Sequence, residues 1–422
     1  MYKIYFKQAV EMLKQNKFFS IISITGTALA IMMIMAIIVT DSVKNVSVAP
    51  ENNRNRTLYL SYQILKDSSE IGVATNTGPL SLDLVRNYIL QLKTPELISV
   101  YTNVSPALVG SEISTEKISL TRRYTDPAYW KILSFSFLEG KTFNEEEFHS
   151  GICNAIISNS AAKKLFKGES AIGRSIDINS QQYRVIGIVK DISPVFTEAS
   201  ADIWTPYTSI NNINSRSNMF RAMLMIKNKN DITAIKGEFR KIENEYQGSE
   251  ITEKLYLRGP DTHRIKTMGL RTYSDDEIIE QVTIQNRKIW FILIVILLVP
   301  AVNLSGLNLS RIKKRTPEIG VRKAFGAKRH IILIQVLFEN LITSFIGGII
   351  GLVLSVFVIF QMKNYLLKIS PDSTIPFDTI VSIPVIISIF TACIIINILS
   401  AAIPAYRASH MTIVNSITNN DK

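Results

Sequence analysis

The sequence has few of the residues that disulfide frameworks, metal centres and enzyme active sites require. Its 422 residues include only two cysteines and four histidines, and no two of these have the spacing of a metal site. No common catalytic motif is present, and Gly140-Lys141-Thr142 is not a phosphate-binding loop because Phe135 stands where the upstream glycine is needed. The sequence therefore predicts a chain that is not an enzyme, with no catalytic residue, no metal site and no directly bound cofactor.

Long apolar runs, in contrast, are abundant. Hydrophobic residues make up 47% of the chain and charged residues 19%, which indicates that membrane-spanning and aqueous segments coexist. Four stretches reach the length of about 20 residues that a spanning helix needs; they are 18–40, 289–309, 331–360 and 379–403. Glu339 is the one clear charge within them, which argues against an ion-coupled carrier.

Positive charge is concentrated beside these apolar stretches. The segment 41–287 holds 30 Lys and Arg against 29 Asp and Glu, whereas the rest of the chain holds 17 against 6. Eight of the basic residues lie between 311 and 331, and short basic loops are retained on the cytoplasmic side. We therefore expect both termini in the cytoplasm and segment 41–287 outside it, and we expect no binding to nucleic acid.

The predicted fold is a membrane protein with four transmembrane α-helices and a large α+β extracytoplasmic domain between helices 1 and 2. The outer segment mixes period-two runs, such as 57–62 and 182–189, with a capped helix at 158–166, and it shows no regular βα alternation. Near its end a helix with a capping box at Ser274 and Glu277 is predicted to continue into the second span.

The predicted segments follow from these patterns. Residues 2–15 form either an amphipathic helix in the membrane interface or an extension of the first span. The bounds are 1–17 for a cytoplasmic amphipathic helix, 18–40 for transmembrane helix 1, 41–287 for the extracytoplasmic domain, 288–309 for helix 2, 310–330 for a cytoplasmic coupling loop, 331–360 for helix 3, 361–378 for a short outer loop, 379–403 for helix 4 and 404–422 for a cytoplasmic tail.

The basic loop carries the signals of a short helix. Thr316 can cap it, Pro317 suits its first position, Glu318 suits the positive end of the helix dipole, and Gly326 suits a left-handed C-terminal cap. Such a helix could insert into a groove on a soluble partner, with Ile319 and Phe325 as apolar contacts and Arg322 and Lys323 as charged ones. The alternative is a basic loop that lies on anionic lipid.

A second candidate site is a glycine pattern in the third apolar stretch. Gly347, Gly348 and Gly351 include a pair at one-turn spacing, and small residues let a neighbouring helix approach closely. The pattern predicts helix packing, either within the chain or between subunits.

Three runs of the sequence are distinctive when taken together: the loop run Arg315-x-x-Glu318-Ile319-Gly320-Val321-Arg322-Lys323-Ala324-x-Gly326-Ala327, the outer run Phe137-Leu138-Glu139-Gly140-Lys141-Thr142-Phe143 and the closing run Ala402-x-Pro404-Ala405-x-Arg407-Ala408. With the three glycines, they resemble the MacB/FtsX family of ABC-transporter permeases, which joins a MacB-like periplasmic core domain to an FtsX-like permease domain. The resemblance extends over essentially the whole chain. Two positions depart from the family pattern: Pro317 stands where a polar residue is usual, and Ile413 replaces a proline, which leaves the conformation of the tail open.

The resemblance implies a permease in the bacterial inner membrane that works as a homodimer or heterodimer. A separate cytoplasmic ABC ATPase would hydrolyse ATP, and its closure would move the extracytoplasmic domains, for export from the periplasm, lipoprotein release or peptide resistance. The alternatives are a regulator that controls a cell-wall hydrolase through its outer domain, and a membrane sensor or scaffold without an ATPase. A periplasmic adaptor is a further expected partner. The implied ATPase-coupling residues are Arg315, Glu318, Ile319, Gly320, Arg322, Lys323, Phe325 and Gly326.

Overall fold

The computed structural model describes residues 11, 13–15, 17–45, 47–67, 75–211, 218–246, 253–269, 275–314, 316–326, 328–366 and isolated positions between 387 and 410. The chain divides into two compact units, Val43–Val282 with Leu367–Pro376, and Met1–Ser42 with Thr283–Leu366 and Phe377–Lys422. We call them the outer unit and the membrane unit. Most of the predicted N-terminal helix, most of predicted helix 4 and most of the tail, with Ile413, lie outside the described residues.

The described helices of the outer unit have 15 residues or fewer, whereas the described helices of the membrane unit are long except for the nine residues of Thr316–Ala324. Two single 3₁₀ turns, Ile89–Gln91 and Tyr207–Ser209, accompany them. The helices are α1 Lys17–Asn45, α2 Leu82–Asn87, α3 Pro127–Ile132, α4 Glu145–His149, α5 Asn159–Phe166, α6 Asp231–Glu245, α7 His263–Thr267, α8 Asp275–Lys314, α9 Thr316–Ala324 and α10 Arg329–Leu366.

The described strands all belong to the outer unit. They are β1 Thr57–Leu60, β2 Tyr62–Asp67, β3 Thr75–Gly78, β4 Leu80–Ser81, β5 Leu97–Thr102, β6 Ser105–Ser111, β7 Ser114–Thr125, β8 Phe137–Gly140, β9 Asn154–Ser158, β10 Ser175–Ile178, β11 Gln181–Val189, β12 Ile203–Pro206, β13 Asn218–Met225, β14 Glu253–Arg258 and β15 Asp261–Thr262.

These strands form three sheets, and the helices lie between them in sequence without regular alternation. One sheet has seven strands in the order β10-β6-β7-β12-β9-β11-β8, with parallel pairs β9–β11 and β7–β12 and the other pairs antiparallel. A second has the order β15-β1-β13-β4 with β5 also paired to β13, and a third has the order β14-β2-β3. The arrangement confirms the predicted α+β fold of the outer unit.

Two hydrophobic clusters fill the two sides of the seven-stranded sheet. On β9, Ala155 and Ile157 belong to a cluster with α5, whereas Ile156 between them belongs to the larger cluster that includes the second sheet. The alternation follows from strand geometry, in which successive side chains point to opposite faces. Trp204 on β12 is fully buried in the larger cluster. Because both faces of this sheet are covered, every residue of its inner strands β9 and β12 is buried.

The membrane unit contains two helical stretches that are long and apolar enough to cross a membrane, by length and composition, among the described residues. They are Ser20–Val39 in α1 and His330–Gln361 in α10. The predicted second span, 289–309, lies inside α8, which is continuous from Asp275 to Lys314. The continuous helix was predicted from the sequence, although Ser274 of its capping box lies outside the described residues.

Charged side chains form a buried network in the outer unit. Lys266 of α7 forms an ion pair with Glu198, with Nζ and Oε1 2.5 Å apart, and the Tyr101 hydroxyl donates to the other Glu198 oxygen. Glu51 Oε1 accepts the backbone N–H of Glu198 at 3.0 Å, and Glu51 Oε2 accepts Arg54 Nε at 2.7 Å. The network therefore holds the segment after α1 and the short helix before α8 to the same loop of the outer unit.

Arg123 connects this network to both large sheets. Arg123 belongs to β7 of the seven-stranded sheet. Its guanidinium donates one hydrogen bond to the Thr102 carbonyl on β5 at 2.9 Å and another to the Thr197 carbonyl at 2.7 Å. Buried ion pairs add little net stability over apolar packing, but a buried charge that loses its partner is costly. The network thus selects one arrangement of these segments, because any other arrangement would leave a buried charge without its partner.

The surroundings shift the pKa values of both members of the central pair, in favour of the charged form of Glu198 and against that of Lys266, and both remain mainly charged at pH 7. Burial alone would raise the pKa of Glu198, but the positive charges of Lys266 and Arg123 and hydrogen bonds from Lys266 and Tyr101 hold it well below 4.5. Burial lowers the pKa of Lys266 from 10.5 to about 8, although Glu198 opposes that shift.

We expect Glu198→Gln to destabilise the outer unit at pH 7 by about 3 kcal/mol, because Lys266 loses its buried counter-charge. The pKa of Glu198 is lower folded than unfolded, so its stabilisation is complete above pH 4.5 and declines as the pH falls below that value. The difference between wild type and variant should therefore shrink in acid. Urea unfolding of the detergent-purified chain, followed by tryptophan fluorescence at several pH values, measures this difference.

Glu169→Gln is the matched control. Glu169 pairs with Arg174 at the surface, with 60% of its side chain exposed, and such pairs contribute about 1 kcal/mol or less. A wild-type advantage over Glu198→Gln that stays constant from pH 7 to pH 3 would contradict the assigned role of the Glu198 carboxylate.

Candidate functional site

The predicted loop helix is present as α9, close to its predicted bounds. It runs from Thr316 to Ala324, and the Phe325 N–H donates to the Val321 carbonyl at 3.0 Å. Gly326 follows with φ of +89°, the left-handed conformation that ends many helices and that glycine adopts without steric cost. Arg315 lies outside the described residues, and Lys323 lies on the helix.

One side of α9 packs against α10 within the membrane unit. Ile319 is 9% exposed and contacts a small apolar cluster on α10 formed by Ile332, Val336 and Leu337. Gly320 beside it is also buried. These contacts fix which side of the short helix faces the protein.

A chain of polar side chains lies beside that apolar contact. Arg322 Nη1 donates to Gln335 Oε1 at 2.8 Å, and Gln335 Nε2 donates to Glu339 Oε1 at 3.3 Å. Gln335 is 8% exposed. Glu339 is thus linked to the basic loop through Gln335. We call Ile319 and Arg322, three residues apart on α9, the anchored face.

The remaining side of α9 is exposed. Glu318, Val321 and Phe325 lie three and four residues apart, which aligns them on one side of a helix. Val321 is 49% exposed and Phe325 is 88% exposed, an unusual degree for a phenylalanine. We call these three residues the exposed face. Four of the residues predicted to couple to a partner are therefore divided between the two faces. Ile319 and Arg322 contact α10, whereas Glu318 and Phe325 lie at the surface.

The glycines of α10 lie where two other segments approach. A Cβ on Gly347 would come 2.9 Å from Thr27 Cβ, and one on Gly351 would come 2.7 Å from the Ala28 carbonyl oxygen, both on α1. A Cβ on Gly348 would come 2.4 Å from the Phe390 ring. The structure thus uses Gly347 and Gly351 for close packing of α10 on α1 of the same chain.

Two features of the site were missed by the sequence analysis. Gln335 carries a usable signal, since it is a polar residue in an apolar stretch, one helical turn before Glu339. The Glu198–Lys266 network has no recognisable signal in the sequence, because its members are far apart along the chain and form no motif with the residues next to them. No group of three or more metal-binding side chains occurs among the residues that the structure describes.

Comparison with known protein families identifies both halves of the chain. Residues 20–242 match the model of the MacB-like periplasmic core domain, and residues 290–413 match that of the FtsX-like permease C-terminal domain. The chain therefore belongs to the MacB/FtsX family of ABC transporter permeases, which confirms the resemblance found in the sequence.

Among individual relatives, an uncharacterized ABC transporter permease, YknZ of Bacillus subtilis, is 27% identical over 241 residues, 56% of each chain. Macrolide export ATP-binding/permease proteins MacB are more distant. The one from Campylobacter jejuni is 24% identical over 63% of this chain and 38% of its own length, and the one from Escherichia coli K12 is 25% identical over 68% and 42%. The chain spans about half or less of the length of these relatives.

Two solved structures have weak similarity to about half of this chain. The periplasmic region of MacB from Actinobacillus actinomycetemcomitans has a TM-score of 0.36 at 13% identity and covers 51% of this chain and 94% of its own. The extracellular domain of a YknZ transporter from Gram-positive bacteria has a TM-score of 0.34 at 17% identity and covers 47% and 99%. At TM-scores below 0.5, these likenesses add nothing to the topology described above.

We expect Gly351→Leu to destabilise the membrane unit by about 1–3 kcal/mol, because the new side chain would meet the backbone of α1, which cannot move aside as a flexible side chain can. The measurement is the temperature at which the detergent-purified chain loses its monodisperse peak in size-exclusion chromatography.

Gly26→Leu is the matched control, since a Cβ on Gly26 in α1 meets nothing within 4 Å. If Gly351→Leu and Gly26→Leu melt at the same temperature, the close contact between α10 and α1 is not what requires glycine at position 351.

Proposed function

We propose that the chain is the permease subunit of an ABC transporter whose energy comes from a separate cytoplasmic ATPase. The observation that carries this proposal is the division of α9 into an anchored face and an exposed face. A nine-residue helix is too short to be stable in isolation, so its packing on α10 holds it in place. The packing leaves Phe325 uncovered, and a bare aromatic side chain beside Val321 and Glu318 is typical of a docking surface.

The topology in this proposal has four transmembrane helices, both termini in the cytoplasm and the outer unit outside it. The strongly basic loop around α9 supports a cytoplasmic location for the exposed face. ATP would be bound by the partner, since the sequence has no phosphate-binding loop. The MacB relatives are named as ATP-binding and permease proteins, and this sequence matches less than half of their length.

In this proposal, two permease subunits of the same or different sequence form a dimer. Closure of the ATPases then moves the outer units. Relatives named for macrolide export favour export from the periplasm over lipoprotein release or peptide resistance, and a periplasmic adaptor would be a further partner. No described feature specifically favours the alternative of control over a cell-wall hydrolase.

We expect Phe325→Asp to reduce recovery of an ABC ATPase with the purified chain by at least about tenfold, because a buried aromatic anchor contributes about 2 kcal/mol or more to an interface. Glu318→Lys should reduce it as well, through reversal of the charge on the same face. The measurement is affinity purification in mild detergent, with the ATPases of the source cell identified and quantified by mass spectrometry.

Tyr256→Asp, which changes a 40% exposed aromatic residue on the outer unit, is the matched control and should leave recovery unchanged. If a well-folded parent recovers no ABC ATPase, or if Phe325→Asp recovers as much as the parent, the proposed docking through α9 is wrong.

A further inference from the structure

The apolar contact of α9 with α10 is small for the task of holding a docking helix. It consists of one buried side chain, Ile319, against Ile332, Val336 and Leu337. Burial of one isoleucine is a modest contribution, and a partner that pulls on the exposed face would compete with that contact. A second attachment is needed if movement at α9 is to reach α10.

The second attachment is the polar chain that begins at Arg322. Its acceptor, Gln335, is almost fully buried, so loss of the Arg322 hydrogen bond would leave a buried amide oxygen without that donor. Gln335 is itself held by Glu339 one turn further along α10. The three side chains form an ordered path from a charged donor on α9 to a carboxylate on α10.

The geometry also restricts what Arg322 can do for a partner. Its Nη1 donates to Gln335 on α10, and Arg322 is only partly exposed whereas Phe325 is almost completely so. We propose that Arg322 and Gln335 are positioning residues that clamp α9 to α10 and are not contacts to the ATPase. The clamp makes α9 and α10 move as one body, and this consequence rests on the proposed docking function, whereas the clamp itself does not.

A reporter for the clamp is the burial of position 319. In full-length chain with Cys153 and Cys393 replaced by serine, the thiol introduced by Ile319→Cys reacts with a maleimide only when α9 detaches from α10. Labelling is measured as a rate in inverted membrane vesicles without added ATPase. Phe325→Cys in the same background reports a surface position and should react quickly in every variant.

We expect Arg322→Ala to speed labelling of the thiol at position 319 about tenfold to 100-fold, the change in open population that loss of one hydrogen bond to a charged group brings. Gln335→Leu should give a similar increase, and the two together should be no faster than the faster single variant because both remove the same interaction. Lys328→Ala removes one exposed positive charge of the same loop and should leave the rate unchanged.

Four results would overturn the proposal: a thiol at position 319 that reacts in the parent as fast as one at position 325, no increase with Arg322→Ala, an equal increase with Lys328→Ala, or single-variant increases that multiply in the combination. None of them depends on ATPase recovery. Failure of the docking experiment with Phe325→Asp would therefore refute the proposed function and leave the labelling result to decide the clamp.

Discussion

Attachment of α9 to α10 is the constraint on which the arrangement of the basic loop depends. The loop carries eight basic residues and only a few apolar ones within about twenty positions, and an unattached segment of that composition would have no preferred surface. Burial of Ile319, with the hydrogen bond from Arg322 to Gln335, turns the helix so that Phe325 is directed outward. Which residues a partner can reach is thus decided by contacts inside the chain.

In the outer unit, contacts within the chain also fix the arrangement of segments, and here they are made by buried ion pairs. The Glu198–Lys266 pair and Glu51 draw segments from both ends of the unit to one loop, and Arg123 fastens that loop to both large sheets. Apolar packing alone would tolerate small shifts of these segments, since dispersion and burial have little directionality. Buried ions do not tolerate such shifts, because each displaced charge loses its partner in a medium of low dielectric.

Local features of the fold could be predicted from the sequence, and features made by distant residues could not. The cap at Gly326, the start of α5 at Ser158 and the long helix α8 depend on neighbours in the chain. The two faces of α9 could not be separated, since Ile319 and Phe325 are equally apolar and only their contacts with α10 distinguish them. Likewise, the glycines at 347 and 351 predict close packing, but only the tertiary structure shows that the neighbouring helix is α1.

The exposed face defines the chemistry of any partner that docks there. Phe325 requires an apolar recess deep enough to remove most of a ring from water, and Val321 extends the apolar contact one turn further. Glu318 lies at the edge, where a basic side chain of the partner would meet it without the cost of full desolvation. Arg322 is hydrogen-bonded to Gln335 of α10. Attraction of an acidic partner surface to the loop would therefore depend on the other basic residues of the loop. In the proposed docking, the exposed face would supply the affinity, and the surrounding basic residues would steer an acidic partner surface towards it.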